Sequence, residues 1–523
     1  MRIADAARIA VAGLFLLAPL GVAEAAPPPN TLVFTNSSEA DTIDPHAHFD
    51  VVRVASKNNF YDNFYRYLDN PPVLTPWIAE SYTVSEDRRT YRFAIRHGIK
   101  FHDGTPLTAA DVVYSVDRMM SMNRGPASLF KEMLKPGQAR AVDDYTVEFT
   151  LPEPSASFLP LLPELFIVNA KLVKANEKDG DWGAAWLSRN EAGSGSFILE
   201  DYDPAIGWTA RWNPDHFLGW GPKHLEHLQY KTTREANSQV LGMMRGDFHF
   251  LATTLTNDQI QRLRKSPKVK ILESDQLRLF QFHINNQRPP FDNVHVRRAL
   301  AHAFDYDAFN LGILGGTVER AVAPLPKAMW GYPEGIEGYA FDLAKAKEEL
   351  AKWGGTFTQP ISIHAMVGIT QTEQAASVLQ SGLRKIGVDS RILLDTYPTL
   401  ANKAGKVETT PDVWTVWAGM NYPDPHNWLE GYTSVRWGTS KGGSWYKNPE
   451  VDAMAARALK SDDKAERQAL YEKITRQVVD DAAALWIYSQ RWYGAVGRDV
   501  QGFRYSPIGG AQDFRWVWMG PEE

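Results

Sequence analysis

The chain has 523 residues, of which 44% are hydrophobic and 23% are charged, a balance typical of a folded protein with more than one domain. The formal net charge is -6 and no long run of lysine or arginine occurs, which argues against nucleic acid or an anionic membrane surface as a partner. The sequence contains no cysteine, so neither a disulfide framework nor a thioether-linked lipid anchor is expected.

Residues 1–25 have the features of a secretory signal peptide. Arg2 and Arg8 accompany an apolar stretch from Ile9 to Val22, and Ala23-Glu24-Ala25 supplies the small residues of a cleavage site. The stretch is shorter than the ~20 residues that span a bilayer, which disfavours a transmembrane anchor. We expect cleavage close to Ala26 and a mature protein in the periplasm, with secretion beyond it as the second possibility.

The first clear elements in chain order form a hairpin. Tyr91, Phe93 and Ile95 alternate with polar or small residues, which is typical of a half-buried strand. A second strand is predicted around Tyr82 and Val84, across a polar turn. A helix should follow, because Thr108 and Asp111 have the spacing of a capping box; its apolar side carries Val112, Val116, Met119 and Met120.

Later segments alternate between helices and strands. Asp292, Asp342 and Thr372 are predicted to cap three helices, the last of which ends at Gly387 before a strand over Val388 to Leu394. A final long helix is predicted to begin at Ser461 and to lead into a buried strand from Ala484 to Tyr488. The pattern predicts a mixed α/β fold.

The sequence contains no motif with the spacing of a nucleophile elbow, a phosphate loop or a zinc protease. The segment from Gly193 to Ser196 is glycine-rich, but a strand beginning at Phe197 follows it, so a turn is predicted. His46 with His48 and His224 with His227 lack further ligands at a zinc spacing. We therefore expect no metal, no cofactor and no catalytic residue, although a hydrolase with distant carboxylates stays an alternative.

Aromatic residues are concentrated between positions 414 and 446. Rings carried on loops rich in Gly, Asn, Pro and Asp suit a pocket that holds an organic solute, whereas an aromatic-rich buried loop would explain the same pattern. The sequence leaves both explanations open. The residues concerned are Trp414, Trp417, Tyr422, Trp428, Tyr432, Trp437, Trp445 and Tyr446.

Three blocks resemble the peptide/nickel-class (family 5) solute-binding proteins of ABC importers. They are AESYTVSEDRRTYRFAIRHGIKFHDGTPLTAADVVYSVDRM at 79–119, FDNVHVRRALAHAFDYDAF at 291–309 and NYPDPHNWLEGYTS at 421–434. They follow the family's order over nearly the whole mature chain. The glycine turn from Gly193 to Leu199 resembles the family's lobe crossing.

The resemblance implies an α/β, two-lobed periplasmic binding protein fold with an additional third domain and a ligand cleft between the lobes. The implied domain I is discontinuous and comprises 27–55, 190–275 and 485–523. Domain II lies at 56–189 and domain III at 276–484. The expected function is capture of a small-molecule solute and delivery to the permease and ATPase subunits of an ABC importer, by a monomer.

Two departures from the family pattern concern the ligand. In peptide-binding members an Asp that pairs with the peptide's ammonium occupies the position of Met420, and a buried ammonium needs such a partner. The arginine that dipeptide-type members carry for the far carboxylate has no counterpart between Ala365 and Ile369. An oligosaccharide, opine or other sugar-like conjugate is therefore favoured over free peptide, with Glu39 as an alternative acidic partner that keeps an oligopeptide or dipeptide possible.

The predicted ligand-binding residues come from the aromatic segment and from the positions that the resemblance places at the cleft. Asp424 is excluded from them, because its place in a Pro-Asp-Pro turn indicates a structural role. The predicted residues are Ser37, Ser38, Glu39, Met366, Trp414, Trp417, Gly419, Met420, Asn421 and Trp437.

Overall fold

The computed structural model describes residues 27–39, 41–48, 54–419, 422–508 and 512–521. The strands are β1 (Thr31–Asn36), β2 (Tyr65–Leu68), β3 (Val73–Pro76), β4 (Ala79–Val84), β5 (Thr90–Ile95), β6 (Ala139–Asp143), β7 (Thr146–Thr150), β8 (Phe197–Asp203), β9 (Gly207–Trp212), β10 (His227–Thr232), β11 (Phe250–Leu251), β12 (Val269–Ile284), β13 (Val318–Arg320), β14 (Ile361–Met366), β15 (Ser390–Asp395), β16 (Val413–Ala418), β17 (Ala484–Gly497), β18 (Val500–Gln501) and β19 (Trp518–Met519). The helices are α1 (Val54–Phe60), α2 (Ala109–Met122), α3 (Ala127–Phe130), α4 (Phe158–Leu161), α5 (Ala170–Ala175), α6 (Ala184–Leu187), α7 (Ala236–Arg245), α8 (Asn257–Arg264), α9 (Val294–Ala303), α10 (Leu343–Trp353), α11 (Thr370–Lys385), α12 (Tyr397–Lys403), α13 (His426–Leu429), α14 (Pro449–Lys460) and α15 (Lys464–Asp480).

One large sheet runs through the molecule in the order β15-β14-β16-β12-β17-β11-β1-β10-β9-β8, with β13 paired to β17. The long strands β12 and β17 are antiparallel neighbours at its middle. On one side β17 adjoins β11, and on the other β12 adjoins β16. The two strands therefore join two halves of the molecule through main-chain hydrogen bonds. A separate sheet has the order β4-β5-β7-β6.

The predicted hairpin is confirmed as β4 and β5, in which Tyr82 lies opposite Phe93. The capping box is also confirmed, because the Thr108 main-chain N–H donates to Asp111 Oδ2 at 2.9 Å at the start of α2. Asp342 caps α10 as predicted and accepts bonds from two first-turn N–H groups. These elements follow from local sequence alone.

Three predicted helix starts are wrong. Asn293, not Asp292, caps α9, and Thr372 lies inside α11 instead of preceding it. Ser461 ends α14, a helix that the sequence analysis missed, and Asp463 caps α15. Neighbouring residues of these types can all cap a helix, so the choice depends on which side-chain oxygen meets the free N–H groups of the first turn.

The turn before β8 brings two main-chain segments close together. A Cβ atom on Gly193 would lie 1.8 Å from the Phe60 carbonyl oxygen, and one on Gly195 would lie 2.5 Å from that of Asn59. The Gly195 N–H donates to the Phe60 carbonyl at 3.0 Å. The glycines therefore permit close packing, and the predicted turn leading into a strand is confirmed.

Buried hydrophobic side chains form separate clusters. One lies mainly within residues 64–167, a second joins residues 32–250 with 496–517, and two more lie within 277–488. The grouping is compatible with the three-domain division given above, whose boundaries stay a prediction. The predicted signal peptide, residues 1–25, and Ala26 lie outside the described residues, within which no helix combines the length and apolar character needed to cross a membrane.

Candidate functional site

The carboxyl ends of parallel strands from both halves point toward the region where β12 and β17 pass between them. The strands β1, β10 and β11 are parallel, and β11 is antiparallel to β17, so all three run toward this region. From the other half, β14 and β16 are parallel, and β16 is antiparallel to β12. Ligands of α/β proteins bind outside the carboxyl ends of such strands. We call residues 274–279 and 489–492 the crossover segment and take it as the candidate site.

The predicted residues Ser37, Ser38 and Glu39 follow β1 directly and therefore lie at this end of the sheet. The Tyr230 hydroxyl donates to the Ser38 carbonyl oxygen. Arg234, which follows β10, forms an ion pair with Glu39, and the two side chains are 70% and 43% exposed. Exposed pairs of this kind contribute only ~0–1 kcal/mol. A cationic ligand can therefore compete for Glu39.

Two of the predicted residues in the other half lie in the core. Trp414 is 0% exposed and donates from Nε1 to the Gly443 carbonyl, and Met366 packs in the same cluster. Their burial gives no support to the predicted contact with a solute. Gly419, at the end of β16, is exposed. Met420 and Asn421 lie outside the described residues.

Trp417 belongs to a row of aromatic side chains beside the crossover segment. Its ring centroid lies 4.9 Å from that of Phe280, which lies 5.1 Å from that of Tyr488. Trp417 Nε1 donates to the Tyr488 hydroxyl oxygen at 3.2 Å. Burial raises the pKa of Tyr488 above its usual range, so the hydroxyl is neutral at physiological pH. We call these three packed rings, Trp417, Phe280 and Tyr488, the aromatic floor.

Arg278 lies over this floor, with its guanidinium carbon 5.2 Å from the Trp417 ring centroid. It precedes Leu279, the strand partner of Ala418, and is therefore level with Gly419. Burial lowers the pKa of the guanidinium, and the nearby Tyr488 only partly opposes this effect. The sequence analysis missed Arg278. The sequence signal that could have identified it is an arginine between two leucines, directly before the buried C-terminal part of β12.

Most of the aromatic segment is core. Trp437, which is half-buried, donates from Nε1 to the Tyr446 carbonyl at 3.0 Å and packs 5.8 Å from Trp445. The explanation as an aromatic-rich buried loop therefore describes six of the eight rings. The buried ones are Trp414, Tyr422, Trp428, Tyr432, Trp445 and Tyr446.

The Pro-Asp-Pro turn is structural, as predicted. Asp424 is 2% exposed, and Arg467 Nη2 donates to its two carboxylate oxygens at 2.8 Å and 2.7 Å. Asp424 Oδ1 also accepts the His426 main-chain N–H at 3.0 Å. These bonds fix the turn between β16 and α13.

A cavity of about 60 Å³, open to solvent, lies between α1, β2 and the C-terminal segment. Its charged lining is already paired, because Arg66 lies 2.8 Å from Asp513 and Lys57 lies 3.6 Å from Glu164. Across the described ranges, no cluster of three or more His, Asp or Glu side chains has the arrangement of a metal site.

Comparison with known proteins places this geometry in a family. The model of bacterial extracellular solute-binding proteins, family 5 Middle, matches residues 73–440. The chain belongs to this family. Proteins of family 5 are transport receptors, and this chain is accordingly the substrate-binding receptor of an ABC importer.

Individual relatives cover almost the whole receptor. It is 30% identical over 510 residues to the probable D,D-dipeptide-binding periplasmic protein of Escherichia coli, covering 95% of each chain. It is 29% identical over 485 residues to the dipeptide-binding protein of the same organism, covering 87% of this chain and 86% of that protein. The structure of HbpA2 from Haemophilus parasuis matches with a TM-score of 0.83 at 24% identity, covering 94% and 99% of the two chains. That likeness shows the multi-domain, two-lobed fold.

Proposed function

We propose that this receptor captures short peptides in the periplasm and delivers them to the permease and ATPase subunits of its importer. Several family relatives support this choice, since their names describe binding of D,D-dipeptides, dipeptides, and di- and tripeptides. The sugar-like conjugate favoured by the sequence analysis loses its main support, because most of the rings that would stack on a sugar are buried in the core.

The observation that carries the proposal is the position of Glu39. Its carboxylate follows β1 at the strand ends and is held by Arg234, itself an exposed side chain. A peptide's ammonium group can replace Arg234 at small cost, because the exposed pair contributes only ~0–1 kcal/mol. The Met420 thioether cannot pair with a peptide's ammonium group, but the Glu39 carboxylate from the opposite half can. Met420 therefore does not argue against peptides.

Calorimetry with three sets of probes tests this function. The sets are unmodified di- and tripeptides, the same peptides acetylated at the amino end, and a panel of oligosaccharides and opines. We expect the unmodified peptides to bind at 1:1 stoichiometry and acetylation to weaken binding about 10- to 100-fold, as expected for loss of one charge-assisted contact. Glu39→Gln should remove the discrimination between the two peptide sets.

Glu235→Gln is the matched control, because Glu235 is also exposed and follows β10 but precedes α7 without capping it by a side-chain bond. It should bind like the unaltered receptor. Submicromolar binding of a neutral oligosaccharide, with no binding of peptides, would contradict the proposal. Recovery of a chemically altered solute would instead favour the hydrolase alternative.

A further inference from the structure

Burial lowers the pKa of four buried or half-buried arginines in the described part of the chain: Arg278, Arg297, Arg320 and Arg515. Three of the four donate to an internal acceptor. Arg297 donates to the Asp481 carbonyl at 2.7 Å, Arg320 to the Trp486 carbonyl at 2.7 Å, and Arg515 to His216 Nδ1 at 2.8 Å. Arg278 donates to no acceptor among the described residues and lies over the Trp417 ring.

The acidic groups closest to Arg278 along its own strand are already engaged. Glu273 and Asp275 lie 3.7 Å and 3.8 Å from the guanidinium of Arg491 on β17. The Tyr488 hydroxyl accepts the indole N–H of Trp417. No described carboxylate lies within 4.0 Å of Arg278. Of the two arginines in the described crossover segment, Arg491 therefore has acidic partners and Arg278 has none.

The guanidinium is partly desolvated but still reachable. None of its nitrogens belongs to the fully buried, unpartnered side-chain atoms of the described residues, so water still reaches them. A solute that enters at the strand ends would displace this water. A cation that loses its water needs an anionic partner. A guanidinium is best satisfied by a carboxylate, which accepts two parallel N–H bonds.

We propose that Arg278 binds a carboxylate of the solute, held above the Trp417 ring at the crossover segment. On the proposed peptide function, on which this assignment rests, the group is the peptide's terminal carboxylate and its ammonium lies toward Glu39. Arg278 thereby supplies, from β12, the anion site that the segment from Ala365 to Ile369 lacks. The aromatic floor limits the guanidinium to few orientations, which favours two-point binding of a planar anion.

The test compares unmodified di- and tripeptides lacking Asp and Glu with the same peptides amidated at the carboxyl end. In the unaltered receptor amidation should weaken binding about 10- to 100-fold. Arg278→Met should weaken binding of the free acids by a similar factor and should bind both sets equally, because the contact is gone in either case. Arg278→Lys should fall between the two, since it keeps the charge but not the fork of donors.

Arg491→Met is the matched control, because that arginine lies on the same crossover segment but has acidic partners. Amidation should weaken peptide binding to this variant as much as it does to the unaltered receptor. If the free acids and the amides bind the unaltered receptor equally well, the assignment of Arg278 is wrong while the peptide function stands.

If no peptide binds, the proposed function is wrong, and the opines and oligosaccharides then test the assignment of Arg278. Acidic opines should then bind, and Arg278→Met should weaken them at least tenfold. Binding of neutral oligosaccharides that Arg278→Met leaves unchanged, or no binding of any acidic probe, would overturn the assignment. Should Arg278→Met fail to fold, the amidation series on the unaltered receptor and Arg278→Lys give the same decision.

Discussion

Arg118 and Arg278 occupy contrasting environments in the two halves of the receptor. Arg118 on α2 is fully buried and donates to both carboxylate oxygens of Asp44 at 2.8 Å and 2.7 Å. It also donates to the Trp182 carbonyl at 2.7 Å and contacts His46 Nδ1 at 3.0 Å. Arg278 is half-buried, lies on an aromatic ring and has no acidic partner among the described residues.

The difference separates arginines that hold the fold together from one that is available to a ligand. Each guanidinium nitrogen of Arg118 is hydrogen-bonded inside the protein, and its removal would leave the buried Asp44 carboxylate without its partner. In the receptor without solute, removal of Arg278 would leave no described carboxylate without its partner. Stability measurements should therefore distinguish the two residues before any ligand is known.

The largest expected effect is that of Arg118→Met. It leaves Asp44 buried and unpaired, which should destabilise the fold by about 3–5 kcal/mol and lower the unfolding temperature. Differential scanning calorimetry measures the change, with the exposed Arg124→Met as the control. The double variant with Asp44→Asn should recover part of the loss. A change within about 1 kcal/mol would contradict the role assigned to the pair.

The pH dependence of His46 should be the next largest effect. Burial and the nearby Arg118 lower the pKa of His46 from 6.5 to about 4. Between pH 4 and pH 6.5 the unfolded chain therefore binds more protons at His46 than the folded chain does. The free energy of unfolding is highest above pH ~6.5 and decreases as the pH falls toward 4. The loss should reach about 3 kcal/mol.

Comparison of unfolding temperatures at pH 7 and pH 4.5 for the unaltered receptor and His46→Gln isolates this contribution. The variant should show a smaller decrease than the unaltered receptor. Equal decreases in both proteins would show that His46 is not held neutral by the Arg118 environment.

A smaller effect is expected for the exposed pair at the strand ends. Arg234→Ala removes the partner of Glu39, whose side chain stays hydrated, so the free energy of unfolding should change by only ~0–1 kcal/mol. Peptide binding should strengthen slightly, because the ammonium no longer competes with Arg234. Chemical unfolding and calorimetry on the same sample measure both quantities. A weaker affinity would indicate that Arg234 itself contacts the solute.

The smallest expected effect on stability is that of Arg278→Met. The variant loses a cation–π contact but also removes a partly desolvated charge, so the two changes should cancel to within about 1 kcal/mol. Its unfolding temperature should match that of the unaltered receptor in the absence of solute. A loss as large as that of Arg118→Met would show that Arg278 stabilises the fold, and the contrast between the two arginines would disappear.

Local sequence was sufficient for many elements of the fold. The β4–β5 hairpin, the capped start of α2 and the buried beginning of β17 each follow from periodicity or capping within about fifteen residues. The family blocks added the two-lobed fold and the receptor class. Helix starts at Asn293 and Asp463 were missed, because adjacent residues with equal capping ability differ only in how they meet the first turn.

The candidate site depended on contacts that the local sequence does not contain. Trp414 and Trp417 are three residues apart on β16, so they point to opposite faces, and only the packing of the sheet decides which face is core. The role of Arg278 depends on the register that sets Leu279 opposite Ala418 and Phe280 opposite Tyr488, from segments far apart in the chain. The sequence by itself determined the family, several of the elements and the strand end where Glu39 lies. The tertiary structure alone decided which charges are paired, because a charge's partner is set by long-range strand pairing.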